Sequence, residues 1–316
     1  MFYICTDFMR SFSADKKGIL IFLSLFFIGS FYNAQRHEVG VRLGMSNLVG
    51  DIGRTGYILQ KPFGGRIADH GIPFYGGIMY RMNFNPYQTL RFDLGYSHIQ
   101  FDDARAKEDY RNRRKEKETN SGAEVDAIFE YNFFPVNNEQ KSMLSPYVFG
   151  GIGGILYSTR QVTLDFTDYP FMDTDGDGVI DNMHHYPNHE EFDQDENSRV
   201  HEEFNKAASF SVPFGAGLKY KFNYNWALFG ELKFRYTFSD NIDYSNLQEK
   251  DVKIEYDREN TVFVNRNKKM TADERKQIAD PYIKSHQIGN PNSNDWINSI
   301  TLGISYSFGR PPCYCE

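Results

Sequence analysis

Along eight stretches of the chain, at about 37–46, 72–83, 89–101, 123–134, 145–157, 210–222, 226–238 and 296–308, every second residue is apolar. The clearest is FSVPFGAGLKYKF at 210–222. There Phe210, Val212, Phe214, Ala216, Leu218, Tyr220 and Phe222 form one face, and serine, proline, glycine and lysine form the other. A repeat of two is the signature of a β-strand with chemically distinct faces. In 226–238 the apolar set Trp226, Leu228, Leu232, Phe234, Tyr236 and Phe238 alternates with Glu231, Lys233, Arg235 and Thr237. The fifth stretch contains YVFGGIGGILY, and its glycines leave two registers open. Each stretch has the length of a tilted strand crossing a bilayer, about 9–11 residues.

The spacing between stretches is uneven. Long gaps at 47–71, 102–122, 158–209 and 239–295 alternate with shorter ones at 84–88, 135–144 and 223–225. Long extracellular loops alternating with short periplasmic turns characterise bacterial outer-membrane barrels. The pattern predicts an all-β protein: an eight-stranded antiparallel transmembrane outer-membrane β-barrel over 35–308. Its long extracellular loops fall at about 47–71, 102–122, 158–208 and 239–295, and an even strand count leaves both termini in the periplasm. In that arrangement the apolar faces meet lipid. Arg42, Arg81, Arg91, Asp93, Glu124, Asp126, Glu130, Lys219, Lys221, Glu231, Lys233 and Arg235 fill the lumen as mutually compensating charges. The alternative is a soluble β-sandwich with its apolar face inward.

Composition narrows the choice. Phenylalanine (28), tyrosine (21) and glycine (26) are abundant against 2 tryptophans, which suits many short strands. A mean hydropathy of −0.57 leaves no room for a bundle of membrane helices. The longest apolar run, GILIFLSLFFIG at 18–29, is too short to span a membrane. It follows Arg10, Lys16 and Lys17 and precedes Asn33-Ala34, so residues 1–34 read as a cleaved signal peptide. A net charge of −7 with no basic aromatic module argues against a nucleic-acid partner.

The sharpest chemical motif is DTDGDGVID at 173–181. Asp173, Asp175 and Asp177 at alternating positions and Asp181 at the ninth, with glycines for tight turning, match a calcium-binding loop. The twelfth position of an EF-hand would hold Glu, and here it is His184. The motif resembles the short aspartate repeats of thrombospondin type 3 modules, and a structural Ca²⁺ is expected; the competing reading is an acidic solvated loop. His184, His185, His189 and Glu190 have ligand character without a zinc spacing. No nucleophile–base arrangement or phosphate loop stands out, so no enzymatic activity is expected. The basic residues of 102–121, among them Arg111 and Arg114, read as a solvated face. Thr271 and Glu274 form a capping box, predicting a short helix ending near Ala279, before Asp280-Pro281. The tail 309–316 carries Cys313 and Cys315, too close in sequence for an unstrained bridge to each other. They either pair with a periplasmic partner or belong to an inert extension.

Four segments together resemble the PorG-like family of the type IX secretion system: Asn33-Ala34-Gln35, EVGVRLGMSNLVGDIG at 38–53, the Tyr80–Pro86 turn, and the terminal FGRPPCYCE. The resemblance implies an outer-membrane barrel that is structural and accessory to protein secretion and gliding. It would anchor a periplasmic ring of the lipoprotein PorK with PorN, while substrates pass through a separate translocon. The other reading is a small adhesin-like or porin-like barrel of the OmpX/OmpW type with a calcium-stabilised extracellular loop.

Overall fold

In the computed structural model, the described residues are 36–53, 72–137, 143–166, 171–172, 182–183, 198–256, 269–290 and 292–309. Eight long strands close into a ring. They are β1 (Arg36–Val49), β2 (Phe74–Asn83), β3 (Gln88–Asp102), β4 (Lys117–Asn132), β5 (Met143–Phe166), β8 (Ser198–Lys221), β9 (Trp226–Thr237) and β11 (Trp296–Phe308). Each pairs antiparallel with the next in that order, and β11 returns to β1 in a ladder from His37–Phe308 to Val49–Trp296. Between β5 and β8 lies a two-pair hairpin of β6 (Phe171–Met172) and β7 (Asn182–Met183).

The burial pattern is that of a soluble protein turned inside out. Leu43, Ile78, Leu94, Val125, Ile152 and Leu302 stand exposed on the outer wall, whereas arginines, lysines and carboxylates fill the interior. An apolar surface this continuous requires a nonaqueous solvent, and a closed ring leaves no strand edge unpaired within lipid. The chain is therefore a transmembrane β-barrel of the outer membrane. Aromatic pairs mark both rims. Trp226 and Tyr306 meet edge-on at 5.0 Å near the short turns, and Tyr236 meets Trp296 at 5.0 Å near the opposite mouth.

Two of the strands outgrow the membrane. The sequence suggests 145–157 and 210–222, but β5 and β8 each have 24 residues, and their ladder runs on from Met143–Lys221 to Phe166–Ser198. At about 3.3 Å per residue such a strand is roughly 80 Å long, far more than a hydrocarbon core of about 30 Å. Its upper part forms a ribbon outside the membrane. On that ribbon β10 (Val252–Tyr256) pairs in parallel with β5, and α2 (Ala272–His286) packs alongside. Val162, Leu164 and Phe166 of β5 are buried there with Leu247, Met270, Ile278 and Tyr282. The predicted capping box is present: Thr271 Oγ1 accepts from Glu274 N at 3.3 Å. Contrary to expectation, the helix passes through Pro281 to His286, because Tyr282 beyond it is anchored in this core.

The glycine-rich fifth stretch resolves to one register. Tyr147, Phe149, Ile155 and Tyr157 point inward, and Val148, Ile152 and Leu156 outward. One glycine of the facing strand shows why: a Cβ on Gly217 would lie 2.5 Å from the Tyr147 ring.

Candidate functional site

Six cationic side chains and six carboxylates interlock across the lumen: Arg42, Arg81, Arg91, Lys219, Lys233 and Arg235 with Glu38, Asp93, Glu124, Asp126, Glu130 and Glu231. Glu231 on β9 is the hub. It accepts from Arg42 at 2.9 Å, Arg81 at 3.3 Å, Arg91 at 2.5 Å and the Tyr147 hydroxyl at 2.5 Å. Glu130 binds Arg81 at 2.9 Å and also holds Arg91. Nearer the short turns, Glu38 ties Arg81 at 2.8 Å to Lys219 at 2.6 Å. Toward the opposite mouth, Lys233 bridges Glu124 at 2.8 Å and Asp126 at 2.5 Å, while Arg235 closes on Glu124. Asp93 joins the two layers through Arg42 at 2.7 Å. Arg81 and Arg91 each lie 4.7 Å from an aromatic ring, Phe229 and Phe149 respectively.

Each group reaches this position because its strand alternates, so lipid-facing apolar residues force their neighbours inward. Every lumen residue expected from the sequence is buried there, Lys221 included. Further inward residues lay outside that expectation, among them Glu38, Tyr75, Tyr147, Phe149 and Phe229. The alternation of β1 gave Glu38 away, since it shares a face with Arg42. Tyr75 likewise shares a face with Arg81, and Phe229 with Glu231, whereas Tyr147 and Phe149 lie in the glycine-rich stretch whose register the sequence leaves open. Paired charges in a dry interior resist displacement, since removing one member strands the other. The array therefore works chemically as a seal.

Above the ionic layers the outer mouth is closed by a second, apolar cluster: Leu48, Ile52, Ile99, Phe101, Ile155, Tyr157, Ile242, Tyr244 and Ile297. Buried carboxylates staple the loop after β9 onto it. Asp243 Oδ2 accepts from the backbone of Asp51 at 2.7 Å and Ile52 at 2.9 Å, and Asp295 Oδ2 accepts from Ile242 at 2.8 Å. Burial pushes both carboxyls up from their ordinary range, and the neighbouring Asp243 charge pushes Asp295 further. Asp240 is pushed up to about 7 by burial and by the nearby carboxylates Asp51 and Asp243. The basic loop, expected from the sequence to be a solvated face, is in part engaged with the barrel. Helix α1 (Asp109–Arg114) directs Arg111 to the carbonyls of Gly50 at 3.0 Å and Gly53 at 3.1 Å, and Arg114 to that of Asp51 at 2.8 Å. Free carbonyls at the end of β1 attract these donors.

Among the described residues, no group of three His, Cys, Asp or Glu side chains is placed to hold a metal ion. Asp173, Asp175, Asp177 and Asp181, the His184–Glu190 stretch, Cys313 and Cys315, and the signal segment 1–34 lie outside the described residues. The β6–β7 pairing, Phe171 with Met183 and Met172 with Asn182, brackets the aspartate motif in sequence.

Compared with known proteins, the sequence matches the family described as "Domain of unknown function (DUF6089)" over residues 17–176. No curated protein matches it. Among solved structures, the chain is similar to the N-terminal β-barrel domain of Pseudomonas aeruginosa OprF, at 11% identity and a TM-score of 0.33, covering 87% of this chain and 99% of that one. It is also similar to Ail, the attachment invasion locus protein of Yersinia pestis, in complex with the heparin analogue sucrose octasulfate (13%, 0.36, 87% and 100%). A major outer membrane protein from Thermus thermophilus gives 12%, 0.36, 87% and 100%.

Proposed function

Because the chain belongs to the DUF6089 family, whose description names no activity, we propose a function from the geometry: a non-enzymatic, non-conducting scaffold that fixes other components to the outer membrane. One observation carries this reading. The lumen is sealed by twelve interlocked charges and capped by an apolar cluster, so the surfaces left to work are the two ends. The finer proposal follows the PorG-like resemblance. The barrel is a structural component of type IX secretion and gliding, and its periplasmic turns and tail 309–316 hold the PorK/PorN ring. Cys313 or Cys315 would supply a disulfide or a docking contact.

A second reading, an adhesin-like surface barrel, is supported by the extracellular ribbon with its own packed core. In that reading Asp173, Asp175, Asp177 and Asp181 bind a structural Ca²⁺ at the outer surface. Deleting residues 309–316 separates the two. Under the first, secretion is lost while the barrel still assembles and shows heat-modifiable migration. Intact secretion from an assembled truncated barrel would leave the outer surface as the working end.

A further inference from the structure

Strand β9 ends at Thr237, where its ladder with β8 stops at the Ser211–Thr237 pair, yet β8 continues outward beside β5 to Ser198. The loop that leaves β9 swings across this notch and roofs a cavity of about 370 Å³. That volume falls within the range of small-molecule sites, about 300–1,000 Å³. Its floor is Ala207, Ala208 and Ser209 of the unaccompanied β8, and its walls carry Asp240, Asn241, Asn246, Asp251 and Asn294. At the lip is Phe238, more than half exposed and tilted against Phe210 with ring centroids 5.6 Å apart. Both rings face outward, so the cavity opens beside the aromatic girdle of the outer mouth.

The amides are pre-set rather than loose. Asn241 donates to Thr159 at 2.6 Å, Asn246 to Asp240 Oδ2 at 3.2 Å and Asn294 to the Tyr236 hydroxyl at 2.5 Å. The remaining oxygen of Asp240, Oδ1, is buried with no protein partner, on a residue only 9% exposed. An unmet buried acceptor costs stability, and a small local shift that brings a ligand hydroxyl to it would recover that cost. We propose that this cavity binds a neutral, hydroxyl-rich saccharide. Vicinal hydroxyls both give and take hydrogen bonds, which suits a set of carboxylates and amides, and the apolar face of a sugar ring suits Phe238. A carboxyl raised to about 7 can act as donor or acceptor, as sugar hydroxyls require. Two carboxylates against one lysine, Lys250, disfavour sulfated or phosphorylated glycans. A metal is also disfavoured, because no suitable trio of ligands occurs among the described residues.

The inference rests on the outward orientation of this mouth and gives the surface-binding reading a ligand class. It is tested with the full-length folded barrel on a printed array of neutral and sulfated glycans. A second arm uses nanodiscs containing digalactosyl diacylglycerol or phosphatidylglycerol. Neutral glycans are expected to bind, on the array if the source is a free saccharide, in the galactolipid nanodiscs if it is a headgroup. Asp240→Asn and Asn294→Ala, each with normal heat-modifiable migration, should weaken binding about tenfold or more. Three outcomes would overturn the proposal: no neutral glycan bound in either arm, sulfated probes bound as tightly, or both folded variants binding like the parent. Secretion assays on the same variants are expected to be unaffected, so failure here is distinguishable from failure of the scaffold reading.

Discussion

Glu231 holds three arginines and a tyrosine hydroxyl at the centre of a lumen that excludes water. Such an array contributes little over a well-packed apolar core of the same volume, but losing one partner strands the others. Glu231→Ala is therefore expected to destabilise the barrel by about 3–5 kcal/mol, read from urea unfolding in lipid vesicles. Glu231→Gln, which keeps hydrogen bonding, should cost less. The outer rim behaves differently with pH. Asp240, normally near 3.8, is raised to about 7, so the folded state holds its proton where the unfolded chain has lost it. Its contribution is complete below the unfolded value and fades as pH rises through about 7. Asp243 and Asp295 shift in the same direction, Asp51 and Asp251 add negative charge nearby, and Lys250 is the cation lining the same cavity. Amide protection factors in 238–251, corrected for the intrinsic pH dependence of exchange, should be higher at pH 5 than at pH 8, and Asp240→Asn should flatten the difference. At this scale the lumen charges were legible because a charged residue between two lipid-facing ones has nowhere else to go. Tyr147 was not, since the glycines around it leave two registers open and what holds it inside is the Glu231 carboxylate that accepts from its hydroxyl.

Strands were easier to locate than to measure. In β5 the even-numbered residues Val148, Ile152 and Leu156 face lipid, and the same face continues as Val162, Leu164 and Phe166. There it is covered by β10 and α2 instead. Periodicity cannot register that change of surroundings, because acyl chains and a packed helix ask the same side chains of a strand. The polar stretch between β9 and β11 hid a core for a related reason: its buried residues, Ile242, Tyr244, Leu247, Ile278 and Tyr282, are too scattered for a local period. The aspartate motif between β6 and β7 belongs to this scale as well. Four carboxylates within nine residues repel one another, and a hard divalent cation cancels that repulsion. Cleavage within 173–181 by an added protease is expected to slow in calcium and quicken in chelator. Equal rates would leave the motif merely acidic.

For the whole molecule, the ring was legible because eight amphipathic strands with alternating loop lengths admit few other closures. What the ends do was not, since docking surfaces leave no period in a sequence. Reconstituted into planar bilayers in molar salt, the protein should give no stepwise current; stable channel openings would contradict the sealed lumen. The ribbon and its helix also constrain the order of assembly. Their core needs water on one side, and its residues lie beyond the lipid-crossing part of β5 and β8. That portion must cross the bilayer as unstructured chain and condense only on the far side. Once formed, its packed core would have to come apart before the strands could be drawn back. Insertion thus becomes one-way, with the outer subdomain acting like the head of a rivet set from the distal face.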